Sequence, residues 1–174
     1  RQYVELRPGA DDMQVILGAA LRRSGDAEGA TEALSHAADG EAAYPETWYE
    51  LGEAHMLMDS PAEAAAAFRA AINADPAFYQ ASHRLGVALV EAGEPASAAA
   101  AHRAAIAHYP DNGASEDILH GGNVPRLVRA ATDVSLATCW AALSDALQRV
   151  GDREGADAAA QHAAELLAQD SATP

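Results

Sequence analysis

The 174-residue sequence contains a single cysteine, Cys139, and no lysine. One cysteine excludes an internal disulfide and any cysteine-rich zinc site. Aromatic residues make up only 5% of the chain, and valine and isoleucine form no alternating runs, so nothing in the sequence predicts a β-strand. No apolar stretch reaches the roughly 20 residues that a membrane-spanning helix needs. These absences favour a helical protein that does not insert into a membrane.

Basic residues are scarce as well: 11 arginines face 26 acidic residues, which gives a formal net charge of −15. Phosphate backbones and anionic lipid surfaces would repel such a chain. We therefore expect no nucleic-acid partner and no membrane partner. No secretory signal is recognisable, and the expected location is cytoplasmic. The sequence begins at Arg1 without a methionine and reads as a piece of a longer chain. A periplasmic location stays open, because a signal could have been removed.

What the sequence does have is a 34-residue spacing. The pair Leu-Gly occurs at 17–18, 51–52 and 85–86, with alanine thirteen residues after each leucine and a turn signal eight residues after it. Leu143 starts a fourth copy after an extra segment of about 24 residues. A fixed period of this length is the signature of stacked structural repeats.

Each copy predicts two helices joined by a tight turn. In the second copy, Trp48, Leu51 and Phe68 fall at helical spacing on one apolar stripe, and Gly52 and Ala64 mark a close approach of the two helices. The proline that follows, Pro76, cannot continue the second helix. A single hairpin cannot bury its apolar face, so neighbouring hairpins must stack. We predict an all-α protein.

The stretch "WYELGEAHMLMDSPAEAAAAFRAAINADP" at 48–76 resembles the tetratricopeptide repeat motif. The signature positions of that motif are occupied by Trp48, Leu51, Gly52, Ala64, Phe68, Ala71 and Pro76, and His55 stands where the motif has tyrosine. The third copy departs from the motif at Ser82 and His102, and the fourth at Ser144 and Ala160. The resemblance implies a right-handed α-solenoid of stacked helix-turn-helix repeats with one helical insertion.

The copies divide the chain into consecutive segments. These are the end of a preceding repeat at 1–10, repeats at 11–44, 45–78, 79–112 and 137–170, an insertion at 113–136 and a tail at 171–174. Pro125 can open a short helix within the insertion, and Thr132 or Asp133 is expected to cap the helix that follows. The insertion either fills a gap in the stack or forms one wall of a binding groove. Its candidate contact residues are His120, Asn123, Arg126 and Arg129.

The resemblance also implies a function, since the first helices of such repeats line a concave groove that binds peptide segments. The residues predicted to face this groove are Glu46, Tyr49, Glu53, Met56, Gln80, His83, Val87 and Val90. The acidic and apolar mixture suits a protein or peptide partner with apolar anchors and some basic residues. The basic clamp for a terminal carboxylate, known in the family, is not reproduced at the matching positions Val15, Ala19, Glu53 and Gln80.

No motif for catalysis, metal binding or cofactor binding accompanies the repeats, so we expect neither an enzyme nor a cofactor. His55 and His102 occupy packing positions of the motif, and Cys139 is expected to be a buried thiol. The sequence thus predicts a protein-interaction scaffold. Two alternatives stay open: a non-catalytic repeat domain of a larger bacterial enzyme, such as a sulfotransferase, glycosyltransferase or oxygenase, and a self-associating scaffold.

Overall fold

The computed structural model describes residues 10–40, 44–110 and 134–171, which form α-helices joined by turns and contain no strand. The helices pair in chain order: α1 (Ala10–Ser24) with α2 (Ala27–Ala38), α3 (Pro45–Leu57) with α4 (Pro61–Ala74), α5 (Tyr79–Glu91) with α6 (Pro95–Ala107), and α7 (Leu136–Val150) with α8 (Arg153–Ser171). We refer to these pairs as the first to fourth hairpins. The prediction of an all-α stack of hairpins is confirmed.

The turn inside each hairpin depends on one residue in the left-handed backbone region. Gly25, Gly93 and Gly151 have φ of 87°, 81° and 91°, and Asp59 has φ of 54°. All four lie eight residues after the leucine that begins the repeat pattern. Glycine adopts this conformation without a steric cost, and aspartate is among the few other residues that tolerate it. The turn signals in the sequence therefore mark the ends of α1, α3, α5 and α7.

The two helices of each hairpin approach closely at the glycine of the Leu-Gly pair. A Cβ atom at Gly52 would lie 2.6 Å from the Phe68 ring, and one at Gly86 would lie 2.4 Å from the His102 ring. The partner nearest to Gly52 is thus Phe68, whereas the sequence pattern predicted Ala64. In the fourth hairpin a serine replaces the glycine, and the Ser144 hydroxyl donates a 2.9 Å hydrogen bond to the Ala156 carbonyl.

Apolar side chains fill the space between successive hairpins. Leu51 packs with Leu34 and its neighbours on α2, and Leu85 and Leu143 are buried in a second cluster that also contains Phe68. Leu17 occupies the same repeat position on α1 but is 48% exposed. Its counterparts are each covered by the hairpin that precedes them, whereas α1 has no preceding hairpin among the described residues.

The start of α7 corrects one prediction. Either Thr132 or Asp133, which both lie outside the described residues, was predicted to cap this helix. The cap is Ser135, whose hydroxyl accepts a 3.1 Å hydrogen bond from the Thr138 backbone N–H. Serine is as good a cap as aspartate, so the residue types alone did not decide between neighbouring positions.

Candidate functional site

The candidate site is the surface of the first helices, α1, α3, α5 and α7, at positions −5, −2, +2 and +5 from the repeat leucine; we call it the first-helix surface. Besides the neighbour in its own hairpin, α3 contacts α1, and α7 contacts α5. First helices of consecutive hairpins therefore meet along one side of the stack. The resemblance to the tetratricopeptide repeat implied that these helices would share a face.

A buried ion pair joins the first two of these helices. The Arg22 Nε atom donates a 2.7 Å hydrogen bond to Glu50 Oε2, and the Arg22 Nη2 atom lies 3.4 Å from Oε1. The Glu50 side chain is fully buried. Burial raises the pKa of the Glu50 carboxyl, and the Arg22 hydrogen bond acts in the opposite direction. Arg22 thus stabilises a carboxylate that would otherwise be costly to bury.

A second ion pair connects α5 to α3. The Arg84 Nε atom donates a hydrogen bond to Glu53 Oε1, and both side chains are mostly buried. Glu53 was predicted to recognise a basic residue of the partner. Because its carboxylate already binds Arg84, a basic partner residue would have to compete with a contact inside the protein. Glu46, the other predicted acid, is half-buried on α3.

Two of the eight predicted groove residues lie in the packed interior. Tyr49 is only 4% exposed, and its ring lies 5.6 Å from that of Phe68 and 5.2 Å from that of Phe78, between centroids. Burial raises the pKa of the Tyr49 phenol, with a smaller contribution from the nearby Glu53 charge. His83 is 6% exposed and packs against His102, their centroids 5.2 Å apart. Both side chains therefore lie below the first-helix surface and support the residues that are exposed on it.

The other predicted residues are more accessible. Gln80, Val87 and Val90 on α5 are half-buried, as are Glu46, Glu53 and Met56 on α3. The corresponding positions on α7 are exposed: Thr138, Ala141, Asp145 and Gln148. Access to the first-helix surface thus increases from the first hairpin, where Val15 and Ala19 are buried, towards the fourth. The insertion residues His120, Asn123, Arg126 and Arg129 lie outside the described residues.

A shallow recess opens elsewhere on the second hairpin. It has a volume of about 310 Å³, and its lining is almost entirely apolar. The lining residues are Trp48, Leu51, His55, Glu63, Ala66 and Ala67. His55 is thus half-buried at the edge of this recess, whereas the sequence pattern placed it in a buried position. In the fourth hairpin the matching tryptophan, Trp140, instead contacts the His162 ring at a centroid distance of 4.7 Å.

Residues able to bind metals or to act as nucleophiles are not brought together. Within the described ranges, no three His, Cys, Asp or Glu side chains are grouped so as to hold a metal ion. Cys139 is fully buried, and burial raises the pKa of its thiol to about 11. The prediction of a buried thiol is confirmed. Among the described helices, none combines the length and the apolar character needed to cross a membrane.

The ion pairs were missed by the sequence reasoning. Glu50 and Arg84 both immediately precede the repeat leucine, where the first and fourth copies have Ile16 and Ala142. Because the first and fourth copies have an apolar residue at this position, the charge of Glu50 was a signal that a charged side chain is buried there. This signal does not identify Arg22 as the partner of Glu50.

Comparison with known proteins agrees with this architecture. Residues 45–78 match the family model of the tetratricopeptide repeat. No curated protein matches the chain significantly. A solved structure of MamA superposes with a TM-score of 0.76 at 20% identity, covering 97% of this chain and 84% of that one. A second MamA structure superposes with a TM-score of 0.69 at 19% identity and covers 89% of this chain and 72% of that one. A third structure, described as MamA MSR-1 C2, superposes with a TM-score of 0.69 at 19% identity and covers 92% of this chain and 78% of that one. At these identities the similarity concerns the fold.

Proposed function

We propose that this array of tetratricopeptide-like hairpins is a protein-interaction scaffold that binds a peptide segment on the first-helix surface. The observation that carries the proposal is the arrangement of α1, α3, α5 and α7 along one side, where the Arg22–Glu50 pair joins α1 to α3 and the Arg84–Glu53 pair joins α5 to α3. A surface held in place before binding loses little conformational entropy when a partner arrives. The role we assign is binding, with no catalytic step.

The accessible part of this surface defines the partner. Val87 and Val90 on α5 and Ala141 on α7 offer apolar area. Glu46 on α3 and Asp145 on α7 add acidic groups to this surface. A segment with apolar anchors and some basic residues fits this combination, and the excess of negative charge speeds its association. Because Tyr49 and His83 are buried, we assign them a supporting role beneath the contact surface.

The test begins with selection of binding peptides from a random display library on the purified chain. We expect the enriched peptides to combine apolar residues with arginine or lysine. The variant Glu46→Arg plus Asp145→Arg should weaken binding of the best peptide at least about tenfold and reduce its salt dependence. Glu53 is left unchanged in this design, because its replacement would break a pair that connects α3 to α5, whereas the pair that Asp145 forms with Arg149 is an exposed contact within α7.

A matched control carries the same charge change on second helices. Glu32 on α2 and Asp157 on α8 are both exposed, and Glu32→Arg plus Asp157→Arg changes the net charge equally. If the two variants bind the selected peptide equally well, the first-helix surface is not the binding site. Circular dichroism of both variants establishes that the helical fold is retained.

Self-association is a second candidate, favoured by exposed apolar residues on α1, the first helix that the structure describes. Met13 and Leu17 on α1 are 54% and 48% exposed, while Leu51, Leu85 and Leu143 are buried by a preceding hairpin. A hairpin from a second copy would cover α1 in the same way. Sedimentation velocity over a hundredfold concentration range should then show dimers that Leu17→Glu abolishes. A monomer at every concentration would exclude this candidate.

A further inference from the structure

The third hairpin contains two buried histidines in direct contact. His83 on α5 is 6% exposed and His102 on α6 is 1% exposed, with ring centroids 5.2 Å apart and an interplanar angle of 52°. The Nδ1 atoms of both rings are buried without a hydrogen-bond partner. A buried polar atom without a partner is uncommon in folded proteins, because it gives up its bonds to water.

This pair occupies the place of an aromatic pair in the preceding hairpin. Tyr49 and Phe68 lie 34 residues before His83 and His102, and their rings are 5.6 Å apart at 59°. The second and third hairpins thus use the same ring contact between their two helices. In the second hairpin neither ring takes up a proton in the physiological range, whereas both rings of the third hairpin can do so.

The surroundings of the pair disfavour a positive charge. Burial lowers the pKa of His83 to about 4, and the neighbouring Arg84 guanidinium adds to this effect. Burial also lowers the pKa of His102 to about 4, reinforced by His83 and opposed by Asp145 on α7. Arg84 itself is paired with Glu53 on α3. α4 contributes Phe68 and Ala71 to the hydrophobic cluster that also contains Ala81, Leu85, Ala98 and Ala99 of the third hairpin.

We propose that His83 and His102 form an acid-sensitive contact, which holds the third hairpin closed while both imidazoles are neutral and weakens that hairpin as the pH falls. Protonation of either ring would place a charge in an apolar contact, and protonation of both would place two like charges side by side. Because each hairpin of such a stack is stabilised by its neighbours, weakening the third separates the second from the fourth. The contact therefore makes the continuity of the array depend on pH.

The sign of the effect follows from the pKa values. An unfolded histidine titrates at 6.5 and these two at about 4 in the folded chain, so the unfolded state binds more protons between those values. The stability that the neutral pair contributes is complete above pH 6.5 and is lost as the pH falls towards 4. Between pH 8 and pH 5 the unfolding equilibrium constant should rise at least about tenfold for each histidine.

The experiment compares urea unfolding at pH 8.0 and pH 5.0, above the isoelectric point near 4.6, with EDTA present to exclude metal binding. The matched variant is His83→Tyr plus His102→Phe, which reproduces the Tyr49–Phe68 pair of the second hairpin. Between pH 8.0 and pH 5.0, we expect the unfolding equilibrium constant of the wild-type chain to rise at least about a hundredfold more than that of this variant. The control His36→Gln removes an exposed histidine and should behave as the wild type.

Hydrogen exchange locates the effect. Amides of α5 and α6 should lose protection at pH 5.0 more than those of α3 and α4, after correction for the intrinsic rate. Equal pH dependence of the unfolding equilibrium constant in the wild type and in the variant His83→Tyr plus His102→Phe would overturn the proposal.

Should that variant fail to fold, titration of the wild-type imidazoles by NMR decides the question. Midpoints well below 6.5 for His83 and His102 support the proposal, and midpoints at or above 6.5 contradict it.

Discussion

The Arg22 guanidinium on α1 and the Glu50 carboxylate on α3 form a hydrogen-bonded ion pair, 2.7 Å between Nε and Oε2, that connects the first helices of consecutive hairpins. Glu50 is fully buried, and Arg22 is 15% exposed. Such a pair contributes little net stability compared with apolar residues, because both charges lose their hydration. Its two members nevertheless depend on each other, since either charge alone would be buried without compensation.

Removal of Arg22 should therefore be far more damaging than removal of the whole pair. Arg22→Met leaves the Glu50 carboxylate buried without its cation, and we expect a loss of about 3–5 kcal/mol in the free energy of unfolding. The double variant Arg22→Met plus Glu50→Leu should recover most of that loss. Urea unfolding at pH 8 provides the measurement, and equal stability of the single and double variants would contradict this account.

The same single variant should acquire a characteristic pH dependence. Burial already raises the pKa of Glu50, and loss of the Arg22 hydrogen bond raises it further. A carboxyl whose pKa is higher in the folded state than in the unfolded state favours folding when protonated, and this contribution is lost as the pH rises. Arg22→Met should therefore gain stability relative to the wild type between pH 8 and pH 5.5, whereas the double variant should not.

Gly52 and Phe68 should show strong coupling in a double-mutant cycle. A Cβ at position 52 would lie 2.6 Å from the Phe68 ring, so Gly52→Ala forces the ring to move, and we expect a net cost of about 1–3 kcal/mol. The cost should disappear in the background Phe68→Ala, where only the gain in helix propensity remains. The fourth hairpin supports this compensation, because Ser144 there coincides with Ala160 at the Phe68 position. Thermal unfolding of the four proteins gives the coupling, and additive effects would contradict it.

The features that the sequence predicted correctly are those for which the geometry restricts the residue type. A left-handed turn at Gly25, Gly93 and Gly151 accepts few residues other than glycine, and the close approach at Gly52 accepts little beyond a hydrogen atom. Such constraints recur at fixed positions in each copy, so that the spacing identified the hairpins and their turns.

The candidate site was less predictable, because its properties come from contacts that differ between copies. Whether Tyr49 and His83 reach the surface depends on the rings of Phe68 and His102, which pack against them from the second helices. Whether Glu53 is available to a partner depends on Arg84, 31 residues away on the next hairpin. A fixed set of offsets from the repeat leucine carries no information about such neighbours.

The effect of a substitution in the turn should depend on how well the new residue tolerates positive φ. The turn residues concerned are Gly25, Asp59, Gly93 and Gly151. Gly93→Ala should lower the free energy of unfolding by about 1–2 kcal/mol, because an L-residue with a Cβ is strained in this region. Gly93→Asp should cost less, since aspartate occupies the matching turn at Asp59. Replacement of the neighbouring Ala92, whose φ is −72°, by serine is the control. Equal losses for Gly93→Ala and Gly93→Asp would show that backbone conformation is not the cause.

Cys139 should react with thiol reagents only when α7 loses its packing. The side chain is fully buried, and its pKa of about 11 leaves almost no thiolate at neutral pH, although the thiolate is the reactive form. Labelling by a disulfide reagent at pH 7.5 should therefore be slow in buffer and complete within the mixing time in urea. The labelling rate in buffer should also follow the opening of the helix, so that Gly93→Ala and Arg22→Met accelerate it if they weaken the whole stack.

The control Ala141→Cys places a thiol at an exposed position two residues further along α7, and this thiol should react at once in buffer. Fast labelling of Cys139 in the wild-type chain would show that α7 is not packed as described.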